Sequence, residues 1–185
     1  LPDLAQTDNF QPSTFNIEPP IRSAKVRMFW RNEVYPRIAR MHQGEVNHVL
    51  DHSYAHLLNF LNPRRTVVTC HDLTPLEFEK DDEIRNRFIK VVENMKLAAR
   101  IIADSQETKR DLIKHFSLLE DKIEVINLGV DPIFRPIGSG ETKRQMLHKF
   151  NLPEGKIIFS HGQAHIAYKN TEGILRAFVQ IAKER

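Results

Sequence analysis

Short apolar runs alternate with longer amphipathic segments along the chain, and this alternation predicts its secondary structure. The apolar runs are bounded by polar clusters and predict strands at 45–50, 65–70, 100–103, 122–126 and 157–160. Between them, apolar residues recur at helical spacing and predict helices at 25–41, 84–99, 104–116, 142–150 and after residue 170. Pro36 is expected to restart the first helix, because proline fits a first turn. Asp104 is expected to cap the third, with Glu107 as its reciprocal partner.

Strands that alternate with helices predict an α/β fold with a parallel sheet and right-handed crossovers. In such sheets, ligands bind beyond the carboxyl ends of the strands. Three polar loops fall at those positions, at 51–54, 71–74 and 161–169, and all three are rich in histidine or charge. The chemistry of the protein is therefore expected in these loops.

Composition narrows the class of protein. The 185 residues are 41% hydrophobic and 28% charged, as in globular proteins, and the formal charge of +3 is too small to indicate nucleic-acid binding. A local basic patch still leaves room for peripheral contact with a membrane surface. No apolar run is long enough to span a bilayer, and residues 1–16 lack the regions of a signal peptide. With Cys70 as the single cysteine, the expected location is the cytoplasm.

The loop at 161–170 places one glycine and one lysine before the last predicted helix. A cation is unfavourable at a helix N-terminus, because the unpaired N–H groups there carry partial positive charge. The arrangement becomes favourable if a phosphate binds those N–H groups and Lys169 closes over it. The alternative is an ordinary loop in which Asn170 caps the helix and Lys169 is solvated. The spacing is not that of a Walker loop.

Histidines at strand ends are the other candidate chemical groups. His71 follows the strand at 65–70 and can donate to a phosphate or hydroxyl oxygen or act as a base. The alternative is a histidine satisfied by local backbone, with Asp72 capping the next turn. Asp51 and His52 are expected in the same crevice, with His56 facing solvent. A metal site of His48, His52 and His56 needs one continuous helix, which the predicted strand at 45–50 disfavours.

Taken together, the linker and the three loops resemble family 4 of the glycosyltransferases. The matching stretches are 46–51, 67–75, 101–105, 126–136, 157–162, 169–170 and 177–178. The resemblance implies an α/β fold of Rossmann-like parallel sheets, as part of the two-domain architecture called GT-B. It also implies four segments: an irregular N-terminal segment at 1–24, part of the N-terminal acceptor domain at 25–126, a linker at 127–140, and the beginning of the C-terminal donor-binding domain at 141–185.

The same resemblance implies roles for individual residues. His71 matches the active-site histidine of the family. Contacts to the donor diphosphate are implied for Gly162, Gln163, Lys169 and Asn170, and contacts to acceptor or sugar for Asp51, His52 and Asp72. The family usually has arginine where this chain has Gln163, so Lys169 would carry more of the charge interaction with phosphate. The family's first strand and its carboxylate pair are expected outside this chain, so the segment alone is expected to be inactive.

The implied function is a retaining glycosyltransferase of hexosyltransferase type. It would move a sugar from a nucleotide diphosphate-sugar to a hydroxyl of a saccharide, a polysaccharide or a lipid-linked glycan, with no metal and no cofactor. Gln163 favours one alternative, a non-catalytic module that binds nucleotide-sugar or phosphate. A histidine-ligated metal hydrolase is a third alternative.

Overall fold

The computed structural model describes residues 13–14, 23–136, 140–152 and 167–183. The chain forms two compact units, Leu1–Leu128 and Gly129–Arg185. The assignment of these segments to an acceptor domain, a linker and a donor domain stays a prediction.

A long helical segment precedes the sheet of the first unit. It consists of α1 (Ala24–Phe29), a wider π-helical turn (Trp30–Val34) and α2 (Tyr35–Met41). Pro36 lies in the first turn of α2, as predicted. Proline has no N–H, and its ring collides with the carbonyl four residues earlier, so an unbroken α-helix cannot pass through this point. The π-helical turn accommodates the interruption.

Four parallel strands form one sheet in the order in which they occur along the chain. They are β1 (Asn47–Val49), β2 (Thr66–Cys70), β3 (Arg100–Ala103) and β4 (Ile123–Val125). The register aligns one apolar row across all four strands, formed by Val49, Val68, Ile101 and Ile123. All four residues are buried in the core. The predicted Rossmann-like parallel α/β fold is confirmed, whereas the strand predicted at 157–160 lies outside the described residues.

Helical segments connect the strands and cover the core. A 3-10 helix (His52–Asn59) follows β1, and another short one (Pro63–Arg65) precedes β2. After β2 come α3 (Thr74–Phe78), α4 (Asp82–Glu93) and the 3-10 turn Asn94–Leu97. After β3 come α5 (Gln106–Phe116) and the 3-10 turn Glu120–Lys122. Leu58, Met95 and Leu112 are the largest side chains that these segments bury completely.

The helix predicted at 84–99 ends earlier than its apolar spacing suggests. The Asn94 side chain donates to the carbonyls of Lys90 and Val91, at 2.9 and 3.0 Å, and so binds the last turn of α4. The chain then tightens into a 3-10 turn that ends at Leu97, shortly before β3 begins. Tight turns of this kind are common where an α-helix must end.

Ser105, and not Asp104, is the N-cap of α5, so the predicted cap is wrong. Ser105 has extended backbone angles, and its Oγ accepts a hydrogen bond from the Thr108 N–H at 3.1 Å. Either residue type can cap a helix. The choice is decided by β3, whose pairing continues through Ala103. Asp104 therefore lies between the strand end and the cap, and its carboxylate is available for another partner.

Replacing Ser105 with alanine is expected to reduce the free energy of unfolding by about 1 kcal/mol, because the Thr108 N–H loses its capping acceptor. Chemical denaturation of the two proteins measures the difference. Ser23→Ala is the matched control, since Ser23 is the N-cap of α1 but forms no side-chain capping bond. Equal losses in both variants would show that the Ser105 bond contributes nothing beyond the serine itself.

Helical segments make up most of the described part of the second unit. It contains α6 (Gly140–Lys149), a 3-10 turn (Ala167–Lys169) and α7 (Thr171–Lys183). The helices predicted at 142–150 and after residue 170 are confirmed. Across the described part of the chain, no helix combines the length and the apolar composition needed to cross a membrane. The cytoplasmic location and contact with a membrane surface remain predictions.

Candidate functional site

His71 lies at the carboxyl end of β2, on one wall of a pocket of about 300 Å³. The other walls are formed by α3 and by one side of α5. The polar lining consists of His71, Asp72, Thr74, Glu77, Ser105, Glu107, Thr108, Asp111 and His115, and the apolar lining of Leu73, Leu76 and Phe78. The position agrees with the rule that ligands bind beyond the carboxyl ends of parallel strands. Carboxylates beside apolar side chains form a surface suited to a hydroxylated molecule.

Both ring nitrogens of His71 have oxygen partners. Nδ1 is 2.6 Å from Oδ2 of Asp104, and Nε2 is 2.9 Å from the carbonyl oxygen of Leu50. The hydrogen bond with Asp104 raises the pKa of His71 against the opposing effect of burial, and the Leu50 carbonyl and the Asp51 charge raise it further. The side chain of Asp104 is only 12% exposed, whereas that of His71 is 40% exposed. The imidazole is therefore held in place by Asp104 and the Leu50 carbonyl, while part of the ring stays exposed to the pocket.

The backbone of His71 is also held on both sides. Its N–H donates to Nδ1 of His52 at 3.4 Å, and its carbonyl accepts from the Thr108 hydroxyl at 3.2 Å. The Thr108 hydroxyl lies 3.0 Å from the Ser105 hydroxyl. The helix cap of α5 and the position of His71 thus belong to one hydrogen-bond network.

His52 lies behind His71. It is only 8% exposed, and its ring meets the Phe88 ring edge to face, with centroids 5.6 Å apart. Burial lowers the pKa of His52 against the pull of Asp51 and Asp72. The lowered pKa agrees with a neutral His52 ring, whose Nδ1 can accept the hydrogen bond from the His71 N–H. The predicted contact of His52 with acceptor or sugar stays a prediction, and the geometry gives His52 a part in holding His71.

Asp51 and Asp72 each bind nearby backbone. Asp51 caps the 3-10 helix after β1 by accepting from the Ser53 N–H at 2.7 Å. Burial by itself raises the pKa of Asp51, but the Ser53 hydrogen bonds and the two nearby histidines outweigh this effect and lower it. Asp72 accepts from the Thr74 N–H at 2.9 Å and also lines the pocket. Their predicted contacts with acceptor or sugar remain predictions.

The three regularly spaced histidines have separate partners, and His48 lies on a different element from His52 and His56. His48 is on β1, and its Nε2 is 2.8 Å from the Thr69 hydroxyl. His56 is half-buried, with Nε2 3.1 Å from the Arg31 carbonyl, so the prediction that it faces solvent is wrong. Within the described ranges, no three histidine, cysteine or acidic side chains are grouped to hold a metal ion.

The predicted donor-binding segment is only partly described. Gly162 and Gln163 lie outside the described residues. Lys169 ends a 3-10 turn, and its Nζ lies 5.1 Å from the centroid of the Tyr168 ring. Asn170 adopts a left-handed conformation with φ of 49°, and its Oδ1 accepts from the Gly173 N–H at 3.2 Å. Asn170 therefore caps α7, which was the alternative interpretation, and diphosphate binding by this segment stays a prediction.

Gly173 permits this cap. A Cβ atom at position 173 would come within 2.5 Å of the Asn170 side-chain amide. The amide would have to move away, and its hydrogen bond to the N–H of residue 173 would be lost. The glycine in the first turn of α7 therefore leaves room for the Asn170 side chain.

Sequence reasoning missed three partners of His71. They are the Asp104 carboxylate, the Leu50 carbonyl and the Thr108 hydroxyl. The position of Asp104 was a usable signal, because it directly follows the predicted strand at 100–103, and consecutive strands of such a sheet are often neighbours. The Leu50 carbonyl left no signal, since every residue has a backbone carbonyl.

Comparison with known proteins finds a matching family and two more distant relatives. Residues 6–134 match the family described as Glycosyltransferase Family 4. Two curated relatives, both named serotype-specific mannosyltransferase WbdA from Escherichia coli, are 27% identical to this chain over 127 residues. The matched region is 66% of this chain but 15% of each relative. The chain therefore corresponds to a small part of these relatives.

Proposed function

The chain belongs to glycosyltransferase family 4, and on that basis we propose that the protein transfers a sugar from a nucleotide diphosphate-sugar to an acceptor hydroxyl. The observation that carries the proposal is the placement of His71. It is fixed at the carboxyl end of a parallel strand and on the wall of a pocket of about 300 Å³. The family assignment alone supports the class of enzyme. The position of His71 adds a candidate location for the reaction, the pocket beside the end of β2.

The pocket is proposed to bind the acceptor or the transferred sugar. Its carboxylates, including Asp72, Glu77 and Asp111, accept hydrogen bonds from hydroxyl groups, and Phe78 offers an apolar surface. His71 orients the reacting groups from the strand end. This arrangement favours a hydroxylated acceptor, such as a saccharide, a polysaccharide or a lipid-linked glycan.

The second unit is proposed to bind the donor diphosphate. Lys169 supplies positive charge next to the N-terminus of α7, and the unpaired N–H groups of that N-terminus supply partial positive charge. As the bond between the sugar and the diphosphate breaks, negative charge increases on the leaving oxygen, and these groups stabilise it. The proposed outcome is retention of the anomeric configuration, which the family resemblance implies.

Release of nucleoside diphosphate by the full-length protein tests the proposed activity. The assay uses a panel of nucleotide diphosphate-sugars, beginning with mannosyl donors because both relatives are named mannosyltransferases. Release that depends on an added saccharide acceptor is the expected result. Donor binding without release, across all acceptors, would support the alternative of a non-catalytic binding module. The anomeric form of the product, read by NMR, tests retention.

Replacing Lys169 with alanine is expected to weaken donor binding about 10-fold to 100-fold, because a charge-assisted hydrogen bond to phosphate is lost. Titration calorimetry with the donor measures the change. Lys183→Ala is the matched control, since Lys183 lies in the last turn of α7, at the opposite end of that helix from Lys169. Equal affinity in the two variants would remove Lys169 from the donor site.

A further inference from the structure

The two ring nitrogens of His71 point at oxygen atoms that can only accept. The carbonyl of Leu50 has no hydrogen to donate, and an ionised Asp104 has none either. A neutral imidazole has an N–H on only one of its two nitrogens. The lone pair of the other nitrogen would then face an oxygen atom at 2.6 or 2.9 Å. A ring with hydrogens on both nitrogens satisfies both contacts. The geometry therefore selects the doubly protonated form.

From this geometry we propose that Asp104 is a positioning residue that holds His71 as an imidazolium. His71 then acts on the reacting groups as a fixed positive charge and not as a general base. The inference rests on the proposed function for its catalytic consequence. The protonation state and its dependence on Asp104 rest on the hydrogen bonds alone.

The groups around the ring favour the protonated form. Asp104 lies at the end of β3, and Asp51 lies at the end of β1. The remaining titratable groups that face the same space from the pocket walls and from behind are Asp72, Glu77, Glu107, Asp111, His52 and His115. Five carboxylates other than Asp104 thus surround a single imidazolium. Among the described residues that line this pocket or lie behind it, only the two other histidines could add opposing charge, and His52 is buried.

The surrounding hydrogen bonds keep the ring in place. His52 and Thr108 hold the backbone of His71 from opposite sides, so the Cα position is fixed. Asp104 and the Leu50 carbonyl then fix the direction of the ring. A charge fixed in this way needs little reorganisation when negative charge develops nearby, which is the condition for electrostatic stabilisation of a transition state. A base, in contrast, would need a free nitrogen lone pair.

The first test reads the ring itself. NMR of the imidazole of His71, recorded against pH, gives the midpoint of its titration in the wild-type protein and in three variants. Asp104→Asn keeps the size of the side chain but removes its charge, and the midpoint is expected to move to lower pH. Asp104→Glu is expected to restore part of the difference. Asp121→Asn, which removes an exposed carboxylate of the same unit, is expected to leave the midpoint unchanged.

The second test is the pH dependence of the transfer rate in the full-length protein. With His71 acting as a charge, the rate falls as pH rises through the His71 midpoint, and Asp104→Asn moves this fall to lower pH. For a midpoint lowered by one pH unit, the rate above both midpoints drops about tenfold. The loss in Asp104→Asn should therefore disappear in acid. A rate that instead rises with pH through the same midpoint would identify a general base and overturn the proposal.

The two tests separate the proposals. A His71 midpoint that is the same in Asp104→Asn and wild type would overturn the role of Asp104, whatever the activity. A shifted midpoint in a protein that transfers no sugar would support the role of Asp104 in protonating His71 and contradict the proposed function.

Discussion

Replacing His71 with alanine is expected to lower the rate of sugar transfer by about 100-fold to 1,000-fold, the usual effect of removing one preorganised electrostatic group. The variant loses the imidazolium and leaves the Asp104 carboxylate without its partner, although the pocket keeps its other walls. The binding constant of the donor should change little, because the proposed diphosphate site is in the second unit. Steady-state kinetics of nucleoside diphosphate release measure the rate, and titration calorimetry measures the binding of the donor.

His42→Ala is the control for the His71 experiment. His42 follows α2 at an exposed position and is absent from the lining of the pocket. Thermal unfolding of both variants shows whether lost activity reflects lost fold, and rates are compared below both transitions. An undiminished rate in His71→Ala would remove His71 from the catalytic machinery, even if the protein proved to be a glycosyltransferase.

Replacing Ile101 with alanine is expected to reduce the free energy of unfolding by about 2–5 kcal/mol, the range observed when a large aliphatic side chain is removed from a core. Ile101 lies on β3 in the row of buried residues that crosses the whole sheet and has no exposed surface. The loss combines reduced apolar burial with the cavity left between the neighbouring strands. Because typical domains have only about 5–15 kcal/mol of stability, this loss is a large fraction of the total.

Ile126→Ala is the matched control for the Ile101 experiment. Ile126 is the same residue type in the same unit, but 54% of it is exposed. Its replacement should change stability by about 0.5 kcal/mol or less. Urea denaturation followed by circular dichroism compares the two variants. Equal losses would mean that the row through Ile101 is not the centre of the core.

The elements that the sequence predicted well are those in which local pattern and tertiary context agree. The segments at 65–70 and 100–103 are apolar, branched and bounded by polar residues, and they form neighbouring strands. The helix after residue 170 was also predicted, and Asn170 as its cap was one of the two interpretations of the preceding loop. In each case, one pattern satisfied both the local backbone and the burial of a face.

The site was harder to predict, because its partners depend on where each element ends. Asp104 and Ser105 are both good helix caps, and only the length of β3 decides that Ser105 takes this role. The burial of His52 depends on Phe88, which comes from a helix 36 positions later in the chain. The position of His71 could be predicted from β2 alone. Its proposed charge state also depends on Leu50 and Asp104, which follow β1 and β3.

The burial of Cys70 has a practical consequence. This cysteine is the only one in the chain; it is the last residue of β2 and directly precedes His71. It has no exposed surface, and burial raises the pKa of its thiol, so alkylating reagents encounter neither an accessible nor an ionised sulfur. Modification therefore requires a local opening that exposes the end of β2. The alkylation rate of this native thiol therefore measures how often the end of the strand that precedes His71 opens to solvent.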